Sequence, residues 1–207
     1  MLKLLGKPAS INVRKVLWLC AELPLAIEHE AWGSGFRSTQ TPEFLALNPN
    51  ALVPVILDGE LVLWESNTIC RYLAGREGRV DLLPTAPAAR ARVEQWMDWQ
   101  ATDLNTAWRY AFMALVRQSP AHRDASAIAA SVAEWNRLMG LLDAQLNRTG
   151  AYAAGPTFTL ADIVLGLSTH RWLSVPMARP ALPAVQAYCE RLSERPAFLA
   201  HGRNGTP

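Results

Sequence analysis

Asn48-Pro49-Asn50-Ala51-Leu52-Val53-Pro54-Val55-Ile56-Leu57-Asp58-Gly59 leads almost directly into Leu61-Val62-Leu63-Trp64-Glu65-Ser66-Asn67-Thr68-Ile69. Two apolar runs, Val55-Ile56-Leu57 and Leu61-Val62-Leu63, flank Asp58-Gly59, and an Asp-Gly between two such runs predicts a hairpin. Pro54 stands just before the first strand and after the β-branched Val53. X-Pro bonds are the only common cis peptide bonds. A cis bond here turns the Val53 backbone outward and leaves its N–H and C=O for an extended peptide added as a strand. The other reading is an ordinary trans proline at strand entry. Ser66 opens a helix, where free amides and the macrodipole attract an anion, and Glu65 beside it accepts a cation. Together the pair suits an α-amino acid group; a plain N-cap is the alternative.

Working outward, Lys3-Leu4-Leu5 is a short strand candidate. Val13, Val16, Leu17 and Cys20 follow the i, i+3, i+4, i+7 rule and predict a helix over 12–23, with Pro24 just past its end. Residues 26–31 alternate as a strand does. Thr41 and Pro42 cap and start a short helix to Leu47, and residues 66–76 form the next. The order is β-α-β-α-β-β-α, an α/β unit over residues 1–77. Residues 78–88, with Pro84 and Pro87, read as a linker. Residues 1–77 hold 7 alanines and residues 78–207 hold 25, so 89–207 is expected to be all-helical. Helical spacing runs through Val93, Met97, Leu104, Trp108, Ala111 and Leu115, and again from Ile128 to Leu146. Residues 160–172 and 182–192 predict two more helices, and a short one follows Pro196. Thr159-x-x-Asp162 before an apolar run is a capping box, with Phe158 and Ile163 as its hydrophobic staple.

Length and composition narrow the function. The chain has 207 residues, half of them hydrophobic, enough to bury a core without staples or metals. Its 20 basic and 18 acidic residues give a net charge of +2, too balanced for a nucleic-acid binder resting on many phosphate contacts. No apolar run is long enough to span a membrane. Three cysteines, Cys20, Cys70 and Cys189, are no disulfide framework and fit a reducing compartment. The start shows no charged leader ahead of a long apolar run, and a cytoplasmic location is expected. His29, His122, His170 and His201 lack metal-ligand spacing, so no metal is expected. There is no Gly-rich phosphate loop, no G-x-S-x-G elbow and no Cys-x-x-Cys pair.

The succession Asn48-Pro49, Val53-Pro54, Glu65-Ser66 and then Phe158-Thr159-Leu160-Ala161-Asp162-Ile163 resembles the glutathione S-transferase family over essentially the whole chain. Gly6-Lys7-Pro8-Ala9-Ser10-Ile11-Asn12-Val13-Arg14-Lys15-Val16 is similar to the theta-like bacterial members, which use a hydroxyl rather than tyrosine or cysteine. The resemblance implies a thioredoxin-like N-terminal domain, an all-helical C-terminal domain, a homodimer, and glutathione as cosubstrate for attack on small hydrophobic or halogenated electrophiles. It implies that Val53, followed by a cis Pro54, bonds the cysteinyl backbone of glutathione. Glu65 and Ser66 would hold the γ-glutamyl group. Gln40 and Asn50 lie where the family contacts the glycyl end, though Thr39-Gln40 replaces a more basic pair. Ser10 would face the thiol with Asn12 close by; either could instead be a helix cap. Neither Cys20 nor Cys70 stands where the cysteine-type relatives place their catalytic thiol, which disfavours a glutathionyl-transfer or disulfide mechanism.

An electrophile pocket is expected between the domains, with Trp32, Phe36, Arg109 and Phe112 as candidates. Arg109 could hold an acidic substrate, and a surface role is its alternative. The helix 70–76 and the helix bearing Arg90, Glu94, Met97 and Asp98 are the expected dimer faces. Two other functions stay open: a non-catalytic binding or scaffold protein on the same fold, and a glutathione-dependent thiol–disulfide oxidoreductase.

Overall fold

A computed structural model describes residues 1–207. The first half is β1 (Leu2–Leu5), α1 (Ile11–Glu22), β2 (Ile27–Glu30), α2 (Pro42–Leu47), β3 (Val55–Asp58), β4 (Leu61–Trp64) and α3 (Ser66–Arg76). The sheet order is β2-β1-β3-β4. β1 and β2 are parallel, while β1–β3 and β3–β4 are antiparallel. Side chains alternate between faces with a period of two, and this divides the core. Leu2, Leu4 and Ile56 enter the main cluster beneath α1 and α3, whereas Leu5 and Val55 join Trp32 and Phe44 in a small cluster under α2.

The second half is α4 (Pro87–Trp99), a π-helical segment (Gln100–Leu104), α5 (Asn105–Leu115), α6 (Ala125–Thr149), α7 (Leu160–Ser174), α8 (Pro183–Ser193) and α9 (Pro196–His201). Every residue of α7 from Leu160 to Trp172 is buried, so this helix is the axis around which the others pack. It meets α1 at Gly166, where an added Cβ would lie 2.7 Å from Leu192 and 2.9 Å from Trp18. Only glycine allows that approach.

Two expectations are corrected. The helical spacing from Val93 to Leu115 is not one regular α-helix, because the π segment interrupts it. Its Gln100 side chain is fully buried and bonds groups on other helices. Ser66 does not cap α3: Glu65 occupies the N-cap position at φ +71°, and Ser66 is the first helical residue. Cys70 and Met97 are fully buried within the chain, and Arg71 pairs with Glu94 and Asp98 across α3 and α4.

Candidate active site

A groove runs along the hairpin entrance, lined by Asn12, Asn48, Leu52, Val53, Pro54, Glu65 and Ser66. The Val53-Pro54 bond is cis, and neither the N–H nor the C=O of Val53 takes part in a backbone hydrogen bond. The loop before it is organised by Asn48, which is buried. Its Nδ2 donates to the Leu52 carbonyl at 2.8 Å, and its Oδ1 accepts from the Asn50 main chain and side chain, each at 3.0 Å. Gly6 brings the β1–α1 turn against this loop: a Cβ there would meet Val13 at 2.5 Å and Val53 at 3.1 Å, at φ +154°.

Beside the groove opens a cleft of about 560 Å³ between α1, α5 and α7. Asn12 and Leu52 line both spaces, so Asn12 sits where the two meet. Ser10 lines the cleft from the N-cap position of α1, and its hydroxyl makes no cap bond. The Arg14 amide donates to the Ser10 carbonyl at 2.9 Å, while the amides of the first turn ahead of it point out of the helix end. Such a terminus carries partial positive charge.

Glu65 is exposed and holds its positive φ without being glycine. Backbone of this kind costs on the order of 1–3 kcal/mol and clusters at ligand clamps. Behind the groove lies a buried polar network. Lys15 Nζ donates to Asn67 Oδ1 at 3.1 Å and Gln100 Oε1 at 2.8 Å. Asn67 Nδ2 donates to the Met97 carbonyl, and Gln100 Nε2 to Asn105 and Ser168. Burial pushes the Lys15 ammonium down to about 8. No carboxylate belongs to this network. Burial likewise pushes the Cys20 and Cys70 thiols up to about 12 and raises that of Cys189. None of the three is a thiolate near neutral pH.

The structure gathers Ser10, Asn12, Val53, Pro54, Glu65 and Ser66 along this groove and cleft, and Arg109 and Phe112 along the cleft's helical wall. It does not bring Trp32 and Phe36 there. Trp32 lies on the other face of the sheet, packed at 5.0 Å on Phe44 and covered by Arg37; Phe36 is exposed in the loop beyond it. Gln40 and Asn50 are exposed and outside the groove lining, with the Asn50 amide already bonded to Asn48. Thr159 and Asp162 are buried away from both spaces. Sequence reasoning missed Asn48, Lys7, Asn105, Arg117 and Arg171. Asn48 stood inside the quoted stretch, and Arg171 lay in a helix with no polar face to mark it.

The family model described as glutathione S-transferase, N-terminal domain, matches residues 1–75, and that for the C-terminal domain matches residues 104–196. The chain is 41% identical over 199 residues to glutathione S-transferase GstB of Escherichia coli strain K12, covering 95% of each chain. It is 35% identical to glutathione S-transferase 3 of Zea mays, covering 95% of this chain and 91% of that one. A solved theta class glutathione S-transferase from Xanthomonas axonopodis pv. citri, with glutathione bound, superposes with a TM-score of 0.91 at 40% identity, over 97% of this chain and 96% of the other.

Proposed function

The chain belongs to the glutathione S-transferase family, and we propose that it binds glutathione along the Val53–Ser66 groove and activates the thiol with Ser10 and Asn12. In this reading the Val53 N–H and C=O pair with the cysteinyl backbone of glutathione. The Glu65 carboxylate and the Ser66 helix start hold the γ-glutamyl amine and carboxylate. The electrophile, small and hydrophobic or halogenated, enters the adjoining cleft against Phe112. The transferase acts as a cytoplasmic homodimer and serves detoxification, with residues 1–77 holding glutathione, 78–88 linking and 89–207 supplying the second wall.

One observation carries this reading: the side chains of Ser10, Asn12, Glu65 and Ser66, and the main chain of Val53, line two adjoining spaces that meet at Asn12 and Leu52, and make no side-chain or β-type hydrogen bond inside the chain. Buried or half-buried polar groups are ordinarily paired, so groups left open around a groove are available to a ligand.

The energetics suffice. A free thiol has a pKa near about 8.5, and lowering it by about two units takes about 2.7 kcal/mol. One hydrogen bond to a charged acceptor supplies about 1.5–3 kcal/mol, and the start of α1 up to about 1 kcal/mol more. No general-base histidine is required, and the buried cysteines take no part.

The test is the pKa of enzyme-bound glutathione, followed by thiolate absorbance. Ser10→Ala or Asn12→Ala should raise it by about one to two units, with glutathione affinity nearly unchanged. Conjugation at neutral pH should fall and recover partly as pH rises. An unaltered pH–rate profile in both single variants and in the double variant would overturn this assignment. Light scattering at micromolar concentration tests the dimer against the 22.8 kDa monomer.

A further inference from the structure

The cleft carries an unbalanced charge. Lys7, Arg109, Arg117 and Arg171 line it, and none of its 15 lining residues is Asp or Glu. None of these four cations belongs to an ion pair anywhere in the chain, whereas Arg37, Arg71, Arg76, Arg79, Arg90, Arg137, Arg195 and Arg203 all find carboxylates. Other cations, such as Lys15, Arg92 and Arg191, also lack a carboxylate; what sets the cleft apart is that four of them share one space whose lining holds no acid.

Arg171 is the sharpest case. It projects from the buried helix α7 and is 3% exposed. Its guanidinium lies 4.2 Å from the Phe112 ring centre and 4.4 Å from that of Trp108. Its Nε has no hydrogen-bond partner, and its Nη2 donates to the Pro207 main-chain oxygen at 3.3 Å. Burial, then Arg14 and Arg117, push it down to about 9, which leaves it cationic at neutral pH. Aromatic faces hold a cation without neutralising it, and a buried cation with no acidic side chain beside it is costly. Arg171 lines the cleft, and a planar guanidinium set in an apolar wall suits a carboxylate.

We propose that the electrophile taken by this cleft is anionic: a carboxylate-bearing molecule whose apolar or aromatic body lies against Trp108 and Phe112 and whose carboxylate meets Arg171, Arg109 and Arg117. This rests on the glutathione-transfer reading above and names the substrate class of the same site. With an aryl chloride of this kind, the glutathione sulfur forms the new C–S bond and the C–Cl bond breaks. Chloride leaves with the electron pair, and the thiol proton passes to solvent. The cationic walls also steer such a substrate in from solution, an effect that salt screens.

The experiment compares para-chloro-meta-nitrobenzoate with its methyl ester, each rate divided by its uncatalysed rate with glutathione. The carboxylate should be favoured by about tenfold or more. Arg109→Gln and Arg117→Gln, both on the exposed rim, should each shrink that preference several-fold through the KM of the electrophile, and molar salt should shrink it further. Arg171→Gln should abolish the preference; if that variant does not fold, the two rim variants decide. Equal enhancement of acid and ester overturns the inference while leaving glutathione transfer intact. So does a loss that appears in the KM of glutathione with both electrophiles, which would assign the cations to glutathione's own carboxylate. Turnover of neither electrophile, with no retention on immobilised glutathione, would remove the underlying transfer reading and this inference with it.

Discussion

Two sets of polar side chains in this molecule have opposite fates. At the start of α7 the Asp162 carboxylate accepts from the Ala153 amide at 3.0 Å, the Thr159 amide at 2.8 Å, the Thr159 hydroxyl at 3.1 Å and the Tyr188 hydroxyl at 2.9 Å. All of these groups are buried, and every one is closed on another part of the chain. At the groove, Ser10, Asn12, Glu65 and Ser66 have comparable chemistry and no such partners. Ser, Thr, Asp and Asn near a helix start look alike as residue types. What separates a structural cap from a ligand contact is whether its hydrogen bonds end inside the chain.

The largest effect should come from breaking the closed set. Asp162→Ala leaves two amides and the Thr159 hydroxyl without an acceptor in a buried site and Tyr188 with only the long bond to the residue 162 carbonyl, and about 3–5 kcal/mol of stability should be lost. At about 2–4 °C per kcal/mol for a chain of this size, the melting temperature should drop by on the order of ten degrees. Thr159→Ala removes one donor only and should cost about 0.5–2 kcal/mol. Glutathione affinity of the folded fraction should stay at the wild-type value in both. Calorimetric melting that leaves Asp162→Ala within a degree of wild type would falsify the structural assignment.

Lys15 sharpens the comparison, because it is hydrogen-bonded like the closed set yet its charge is not balanced. Its folded pKa, lowered by burial to about 8 from 10.5, means that the unfolded chain binds more protons between those values. Stability attributable to this group therefore rises with pH across that window, and below about pH 8 the full penalty is present. The swing is about 3 kcal/mol. Urea unfolding of wild type and Lys15→Met, compared at neutral and at high pH, should show the difference between them moving in favour of wild type by roughly that amount. A difference that stays flat with pH would mean that Lys15 is not a buried ammonium.

How far the sequence was legible follows the same division. The hairpin at Asp58-Gly59, the cap at Thr159 and the long helix α6 depend on neighbours a few residues apart, and short-range pattern carries them. The groove was legible because Asn48 to Ser66 is one continuous stretch. The Lys15 network was not, since its partners lie 52 and 85 residues away and no local spacing encodes them. Arg171 was hidden because α7 is buried on all sides, which erases the amphipathic stripe that would have set it apart. Trp32 was misplaced for a related reason: after a strand, the face of the sheet decides where an aromatic goes, and the opposite face already held Phe44 to receive it. Gly6, by contrast, was visible as a residue but its necessity appears only when Val13 and Val53 close on it.

The smallest expected effect separates the two roles that Glu65 combines. Its φ of +71° is strained for any side chain with a Cβ, and its carboxylate is the proposed partner of a ligand amine. Glu65→Ala removes the carboxylate and keeps the Cβ; Glu65→Gly removes both. Glutathione affinity should therefore fall alike in the two variants, by about tenfold. Stability should differ between them, with Glu65→Gly the more stable by about 1 kcal/mol, since glycine adopts this backbone freely. That is a substitution expected to weaken the site and firm the fold at once, which no member of the closed set at Asp162 can do. If the glycine variant melts below the alanine variant, the backbone at residue 65 is not held against its own preference. If both bind glutathione as wild type does, the carboxylate is not a ligand and the γ-glutamyl end must be held by Ser66 and the amides of α3 alone.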